Sequence, residues 1–383
     1  MPGDPHSVTA VQCHSLTAFH RSSTAPPPYF TQVGEDRRMS AHIDPEILDN
    51  PRSDRVRRIA GLSARSARQK QGLFLAEGPQ PVREALTVWL RQWEQEQGEQ
   101  PFPELDALFF DPAGLERHPD VLALLDRVRG VLFNPEINLP SQARIFLREA
   151  TPEVLRAMGD AETTQGMIAV CRIPQKAAQI EALDAVLAQL PESNALVASM
   201  LRLQDPGNAG TIIRTADAAG AGAVVLTPGA VDVWSPKVVR SAAGSHFHLP
   251  IFTGIEAADL VDTARARGFQ VLAADGRGET PLAKVANPGA PTLWLLGHEA
   301  HGLTHAEREL ADHRVAIPLF GAAESLNVGT AATVCLYSTA MAQHAGAEGG
   351  TEPAAAADAG SSTESAEMSA AHILSAGPSS TSA

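Results

Sequence analysis

The chain is short of cysteine, of net positive charge and of long apolar runs, and each shortage removes a class of protein. Only three cysteines occur, Cys13, Cys171 and Cys335, far apart in the sequence. Their spacing matches no metal-binding pattern and their number is odd, which disfavours a disulfide-stapled scaffold and a zinc module; a reduced, cytoplasmic setting is expected. No apolar run reaches the roughly 18–20 residues of a membrane span. The N-terminus also lacks the basic start and apolar core of a secretory signal. The formal net charge is −14 over 383 residues. That argues against a general nucleic-acid binder, although local patches decide more than the sum.

Several familiar chemical motifs are missing too. Gly220-Ala221-Gly222-Ala223 begins like a dinucleotide fingerprint. It follows a helical pattern and precedes a strand, the reverse of the required order, and it lacks the third glycine, which disfavours a nicotinamide-dependent oxidoreductase. His298, His301 and His305 invite a zinc reading, but the His301/His305 pair encloses Gly-Leu-Thr, without the glutamate of a metalloprotease helix. His246 and His248 flank Phe247 and read as local packing or surface residues. No G-x-S-x-G elbow is present.

What is present is room for two ordinary domains plus tails, with a hydrophobic fraction of 44% that suffices for real cores. Residues 1–48 begin rich in Pro, Ser, Thr and His and read as a disordered extension. Residues 49–173 alternate strand and helix patterns: strands at 72–78, 105–110, 131–133, 144–147 and 166–171, and helices from Pro79 or Pro81, over 119–129 and after Thr151. That is a small α/β domain. At its start, residues 51–70 hold seven basic residues against one acid, Asp54. Arg52, Arg55, Arg57, Arg58 and Arg65, with Arg68 and Lys70, make a local positive face. A charge run is usually just a solvated helix face, but the predominance of arginine, whose planar fork suits phosphate, points to RNA contact. A linker helix is expected over 174–193, bounded by Pro174 and Pro191.

Residues 194–345 form a second alternation. Strands are expected at about 195–200, 223–227, 249–251, 269–273, 292–296 and 314–317, and helices at about 208–219, 235–242, 256–267, 304–311 and 328–343. Short connections predict a mostly parallel sheet covered on both faces. Residues 346–383 are Ala/Gly/Ser/Thr-rich, hold acids and no lysine or arginine, and read as a disordered acidic tail.

Three segments of the second domain place polar groups just after a strand, and so on one edge of a parallel sheet, where ligands bind. The first is Asp205-Pro206-Gly207-Asn208, with Asn208 a potential helix cap and Arg214 six residues on, in a helix otherwise poor in charge. The second is Leu296-Gly297-His298-Glu299, running on to Gly302. The third runs from Ile317-Pro318 to Ser325-Leu326-Asn327-Val328, where Asn327 sits at an N-cap position.

The ordered trio Asn208…Arg214, Gly297-His298-Glu299…Gly302 and Ile317-Pro318…Ser325-Leu326-Asn327-Val328 resembles the signature motifs of the SpoU/TrmH family of the SPOUT superfamily of RNA 2′-O-ribose methyltransferases. Phe74-Leu75-Ala76-Glu77-Gly78 and Gln165-Gly166-Met167 resemble the family's smaller N-terminal ribosomal-protein-like α/β substrate-binding domain. The resemblance spans about residues 49–345. It implies a trefoil-knotted C-terminal methyltransferase domain, a homodimer and S-adenosyl-L-methionine as cofactor. It also implies a catalytic cluster of Asn208, Arg214, Glu299, Ser325 and Asn327, with the cofactor held around Leu296, Gly297, Ile317, Pro318 and Leu326. No metal is expected, because a methyl on a sulfonium leaves behind a neutral thioether. The implied substrate is ribosomal RNA, 23S first, favoured over tRNA by the separate arginine-bearing domain. A non-catalytic RNA-binding assembly protein is the alternative from another class.

Overall fold

The computed structural model describes residues 47–93, 101–163, 165–191 and 195–348. The expected N-terminal extension and acidic tail lie almost wholly outside these residues.

The first unit carries α1 (Asp54–Ala60), α2 (Arg65–Gln71), β1 (Leu73–Glu77), α3 (Pro79–Trp93), β2 (Glu104–Phe110), α4 (Pro112–Glu116), α5 (Pro119–Leu132), β3 (Phe146–Glu149), α6 (Pro152–Met158) and β4 (Met167–Arg172). Its four strands are ordered β1-β4-β2-β3. β4 is antiparallel to β1 and β2, and β2 is parallel to β3. The period of two is visible in the packing: Phe74, Ala76, Met167 and Ala169 face the core under α3 and α5, while Leu73, Leu75, Ile168 and Val170 face α1 and α6. Gly166 has φ +81°, and a Cβ there would lie 2.6 Å from Gly114 Cα. Glycine is therefore required where β4 begins.

One expected element is absent. Val131-Leu132-Phe133 is not a strand, because α5 runs through Leu132 and Phe133 caps it. Leu125, Val128 and Val131 keep the helical spacing and are buried, so the helical period extends through the short apolar run. The connecting helix is also shorter than expected: α7 covers Ile180–Leu187. Ahead of it the Ala177 carbonyl accepts the Thr253 N–H.

The second unit continues with β5 (Leu196–Met200), α8 (Pro206–Ala218), β6 (Ala223–Leu226), α9 (Pro236–Ser241), β7 (Ile251–Thr253), α10 (Ala257–Ala266), β8 (Gln270–Ala274), β9 (Thr280–Pro281), β10 (Thr292–Leu296), α11 (His305–Glu309), β11 (His313–Ala316) and α12 (Val328–Glu348). Seven strands lie in the order β7-β6-β5-β10-β8-β11-β9, and every pairing is parallel. α8, α9 and α12 cover one face and α7 and α10 the other. Both faces being buried explains why the strands read as unbroken apolar runs. Trp294, fully buried in β10, donates its indole N–H to Thr339 Oγ1 at 3.0 Å and so fixes α12 on the sheet. The chain leaves β5 for β6 and β7 and then returns to the far side of β10. The sheet's switch point, the usual ligand crevice of such folds, therefore lies at the carboxyl ends of β5 and β10.

The two units share one core. Phe74 packs on Trp234 with ring centroids 5.0 Å apart, and on Phe247 and His246 at 6.4 Å. Charged pairs frame the contact. Arg68 meets Asp232 at 2.6 Å, Arg240 reaches Glu77 and Asp160, and His248 lies between Glu84 and Asp217 at 2.9 and 2.8 Å. His246, expected as a local packing or surface residue, is fully buried in this junction, and burial pushes its pKa down to about 4.

His248 is the opposite case: hydrogen bonds to Asp217 and then Glu84 raise its pKa to about 9. A folded-state pKa above the ordinary value of ~6.5 means the contribution is complete below that value and lost as pH rises through about 9. The imidazole is partly exposed, so after allowance for solvent screening the effect is about 1 kcal/mol, or ~2–4 °C in thermal midpoint. The midpoint of the wild-type chain should fall by that amount between pH 6.5 and pH 10 relative to His248→Gln. Parallel pH profiles for the two proteins would show that His248 carries no such role.

Candidate active site

All strands of the second sheet point the same way, so the loops after β5, β10 and β11 open on one edge. The first loop, 201–205, is held in an uncommon conformation. Arg202 has φ +55°, its N–H donates to Thr227 Oγ1 at 3.1 Å, and its guanidinium grips Glu307 through Nε at 2.8 Å and a terminal nitrogen at 2.6 Å. Neither Arg202 nor Glu307 was flagged by the sequence. The Thr304-x-x-Glu307 capping pattern was readable, and the box forms; nothing marked Arg202.

The loop ends at Asp205, which is the true cap of α8. Its Oδ1 accepts from the Asn208 N–H at 2.8 Å, and Pro206 follows at the first helical position. The expectation that Asn208 caps α8 is therefore corrected: it lies one turn inside, with its side chain available. Asn208 Oδ1 accepts from Asn327 Nδ2 at 3.0 Å, and Asn208 Nδ2 lies 3.5 Å from Glu299 Oε1. Glu299 also accepts from the Asp205 N–H at 2.7 Å and the Gln204 N–H at 3.2 Å. Burial alone would raise the Glu299 pKa, but donors from Asp205, its own backbone N–H, Gln204 and Asn208 outweigh it and hold the group below the ordinary range.

The second loop is narrow. The His298 N–H donates to the Gly302 carbonyl at 3.2 Å, and the Gly302 N–H returns to His298 at 2.8 Å. A Cβ on Gly297 would lie 2.5 Å from the Gly302 carbonyl carbon, so only glycine lets the loop close there. His298 and His301 stack with centroids 4.9 Å apart. Among the described residues no group of three or more His, Cys, Asp or Glu is arranged to hold a metal ion.

The third loop, 317–327, crosses back from β11 to the start of α12 beside α8. Asn327 caps α12 as expected, accepting from Gly329 N–H at 2.8 Å and Thr330 N–H at 3.3 Å. Thr215 and Thr333 hydroxyls meet at 3.1 Å between the two helices.

Asn208, Glu299 and Asn327 are thus joined into one hydrogen-bonded network spanning all three loops. Ser325 and Arg214 are not part of it: both are exposed, and neither side chain hydrogen-bonds to Asn208, Glu299 or Asn327. Arg214, two turns along α8, makes no ion pair with any described residue. Leu296 is buried and its carbonyl accepts the Leu201 N–H at 2.8 Å. Ile317 is half-buried and Pro318 exposed just after β11, and Leu326 is exposed beside the Asn327 cap.

The five arginines expected to meet RNA lie on the first unit, in or beside α1 and α2. Arg52 and Arg65 are exposed, Arg55 sits over the Phe146 ring at 4.3 Å, and Arg57 pairs with Asp54 at 2.6 Å. Arg58 donates to the Asp54 carbonyl at 3.4 Å. Arg68 does not share that face: it is 3% exposed and turned to Asp232.

Residues 195–337 match the model of the SpoU rRNA Methylase family. The chain is 29% identical over 296 residues to the 23S rRNA (guanosine(2553)-2′-O)-methyltransferase of Bacillus subtilis, an overlap of 76% of this chain and 97% of that one. It is 34% identical over 224 residues to the 23S rRNA (uridine(2479)-2′-O)-methyltransferase of Streptomyces viridochromogenes, covering 55% and 75%. The crystal structure of the SpoU methyltransferase AviRb from Streptomyces viridochromogenes in complex with the cofactor AdoMet aligns with a TM-score of 0.57 at 28% identity, over 76% of this chain and 98% of that one.

Proposed function

We propose, from the premise that this chain belongs to the SpoU/TrmH family of RNA 2′-O-ribose methyltransferases, that it methylates a ribose 2′-hydroxyl of 23S ribosomal RNA in the cytoplasm. The observation that carries the assignment of the site is the Asn327–Asn208–Glu299 network, which ties the three sheet-edge loops together. The 23S rRNA activities of its Bacillus and Streptomyces relatives support the choice of RNA; tRNA is the substrate to exclude.

The cofactor is S-adenosylmethionine, and the residues present suit it. The fixed charge of the network is the Glu299 carboxylate, compatible with a cationic sulfonium. We assign its binding to backbone groups around Leu296, Gly297, Ile317, Pro318 and Leu326. Gly297 keeps the loop wall free of side-chain bulk. Bound there, the cofactor would supply an electrophilic methyl on a sulfonium whose by-product is a neutral thioether.

The chain's own residues do the rest. Asn208 and Asn327 fix the spacing of α8 and α12 around the reacting ribose. Arg214 grips the adjacent phosphate and stabilises the charge that grows on the 2′-oxygen as its proton passes to solvent water. Glu299 is a positioning residue: with its pKa lowered by these donors it is a poor base, and it orients the Asn208 amide and the 204–205 backbone. Ser325, on the same loop as Asn327, completes the cluster when substrate binds.

Two structural readings accompany this one. Segment 317–334 meets α8 at the Asn327–Asn208 contact, which also reaches Glu299 of the 297–302 loop, and we read it as the threaded part of a trefoil knot. A crystal structure in which it skirts that loop would remove the knot. Val334, Tyr337 and Met341 form an exposed apolar stripe on α12 at a spacing that suits a second copy. Sedimentation at the mass of the single 40.4 kDa chain would exclude the dimer.

The decisive experiment maps 2′-O-methyl sites on total RNA with and without the gene. One site in 23S rRNA should disappear. A site lost from tRNA would move the substrate, and an unchanged map would replace the enzyme with an RNA-binding assembly protein.

A further inference from the structure

Eight large hydrophobic side chains are exposed among the described residues, and six of them, Leu319, Phe320, Leu326, Val334, Tyr337 and Met341, fall within 319–341. Isolated exposed apolar residues are ordinary, but this concentration is not, and Phe320 is its extreme at 96% exposure. A phenylalanine so placed contributes nothing to the core and makes no ring contact with any described aromatic residue.

The six divide by position. Val334, Tyr337 and Met341 stand on one regular helix, at the i, i+3, i+7 spacing that a second helix can cover. Phe320 stands on the irregular loop that ends at Asn327, every residue of which from Leu319 to Asn327 is exposed. Seven residues of chain span at most about 25 Å, so Phe320 is tethered within a few nucleotides' reach of the Asn327–Asn208 contact. Next to Phe320 the loop carries Gly321, Ala322 and Ala323, with no polar side chain before Glu324. The chemistry on offer is one flat π face without hydrogen-bond readout. Single-stranded RNA is recognised by that chemistry, with splayed bases stacked on aromatic rings.

Resting on the proposed function, we infer that Phe320 is a stacking platform for a nucleobase of the RNA substrate close to the methylated ribose. It holds the unstacked strand in the cluster and tolerates more than one base identity, because every base has a π face. The same ring could serve the adenine of the cofactor, or insert into a second copy of the chain; these are the outcomes the test must separate.

The full-length enzyme is assayed with deproteinised 23S rRNA from a strain lacking the gene and labelled S-adenosylmethionine. Phe320→Ala should raise KM for RNA about tenfold to a hundredfold, the range of one base–aromatic stack. Its kcat at saturating RNA, its cofactor Kd and its sedimentation mass should stay unchanged. Phe320→Trp should restore wild-type KM, and Phe320→Leu, equally apolar but not aromatic, should not. A loss confined to cofactor Kd assigns the ring to adenine and overturns the proposal. A fall to monomer assigns it to the subunit contact, and an unchanged KM removes the role outright. The variant's RNA affinity, read by filter binding, needs no turnover. A wild-type chain that binds 23S rRNA but methylates nothing would therefore overturn the enzyme reading while leaving the stacking test intact.

Discussion

Replacing Arg214 by lysine lowers single-turnover methyl transfer about a hundredfold or more, with the Kd for S-adenosylmethionine unchanged. The expectation follows from where Arg214 is and what it lacks. It sits on α8 six residues after Asn208, which Glu299 and Asn327 both hold. Its own side chain is exposed and pairs with no described acid, unlike Arg202, Arg240, Arg265 and Arg267, which all do. An arginine left unpaired beside an ordered polar network is available to an anion. A guanidinium offers a phosphate two parallel donors and still has donors for a neighbouring oxygen; an ammonium offers one point charge on a flexible stem. Removing a donor aimed at charge that develops in a transition state typically costs ~10²–10³ in kcat. The effect should fall on transfer and RNA affinity, because the groups assigned to the cofactor belong to other loops. Undiminished transfer by Arg214→Lys, or a loss explained wholly by weaker cofactor binding, would sink the assignment.

The reach of the sequence was uneven, for identifiable physical reasons. The strands of the second sheet were legible because burial on both faces leaves them uniformly apolar, as in Thr292–Leu296, which is buried throughout. β9 was not: Thr280-Pro281 has neither length nor pattern and is a strand only because it pairs with Val315 and Ala316. Val131-Leu132-Phe133 was read as a strand because three apolar residues fit either period, and the preceding helical spacing decided it. Asn208, Glu299 and Asn327 were found because each follows a strand on the same edge. At the start of α8 Asp205 and Asn208 are both residue types that cap, and Pro206 at the first helical position favours Asp205. Ser325 and Arg214 were placed in the cluster by resemblance, and the structure leaves both open to solvent. Arg202 and Glu307, which brace the first loop against α11, are 105 positions apart, a separation across which one sequence carries no signal.

Arg68 is the sharpest of these failures, and its partner gives the largest stability effect expected of a single change. In the sequence it is one of seven basic residues in a run, and a run of charge reads as a surface. In the fold it is 3% exposed, with Nε and a terminal nitrogen on Asp232 at 3.0 and 2.6 Å and the other terminal nitrogen on the Leu62 and Ser63 carbonyls at 2.6 and 2.7 Å. The two residues are 164 positions apart and belong to different units. Asp232→Ala leaves the two carbonyls in place but removes the one counter-charge that Arg68 meets among the described residues, so a guanidinium remains buried with its charge uncompensated. Breaking a buried pair from one side costs ~3–5 kcal/mol, and that loss should appear in urea denaturation of the full chain. Arg68→Met should cost less, because Asp232 keeps some solvent access, with its side chain 15% exposed, and a methionine stem can fill the space. The double variant Arg68→Met/Asp232→Leu should recover most of the difference, since replacing both members of a buried pair by apolar groups is close to neutral. Because this pair joins the units, the single Asp232 variant should also separate the transition into two steps, the first unit melting ahead of the second. A loss below about 1 kcal/mol in Asp232→Ala, with one cooperative transition retained, would mean that Phe74, Trp234 and Phe247 hold the junction without the pair.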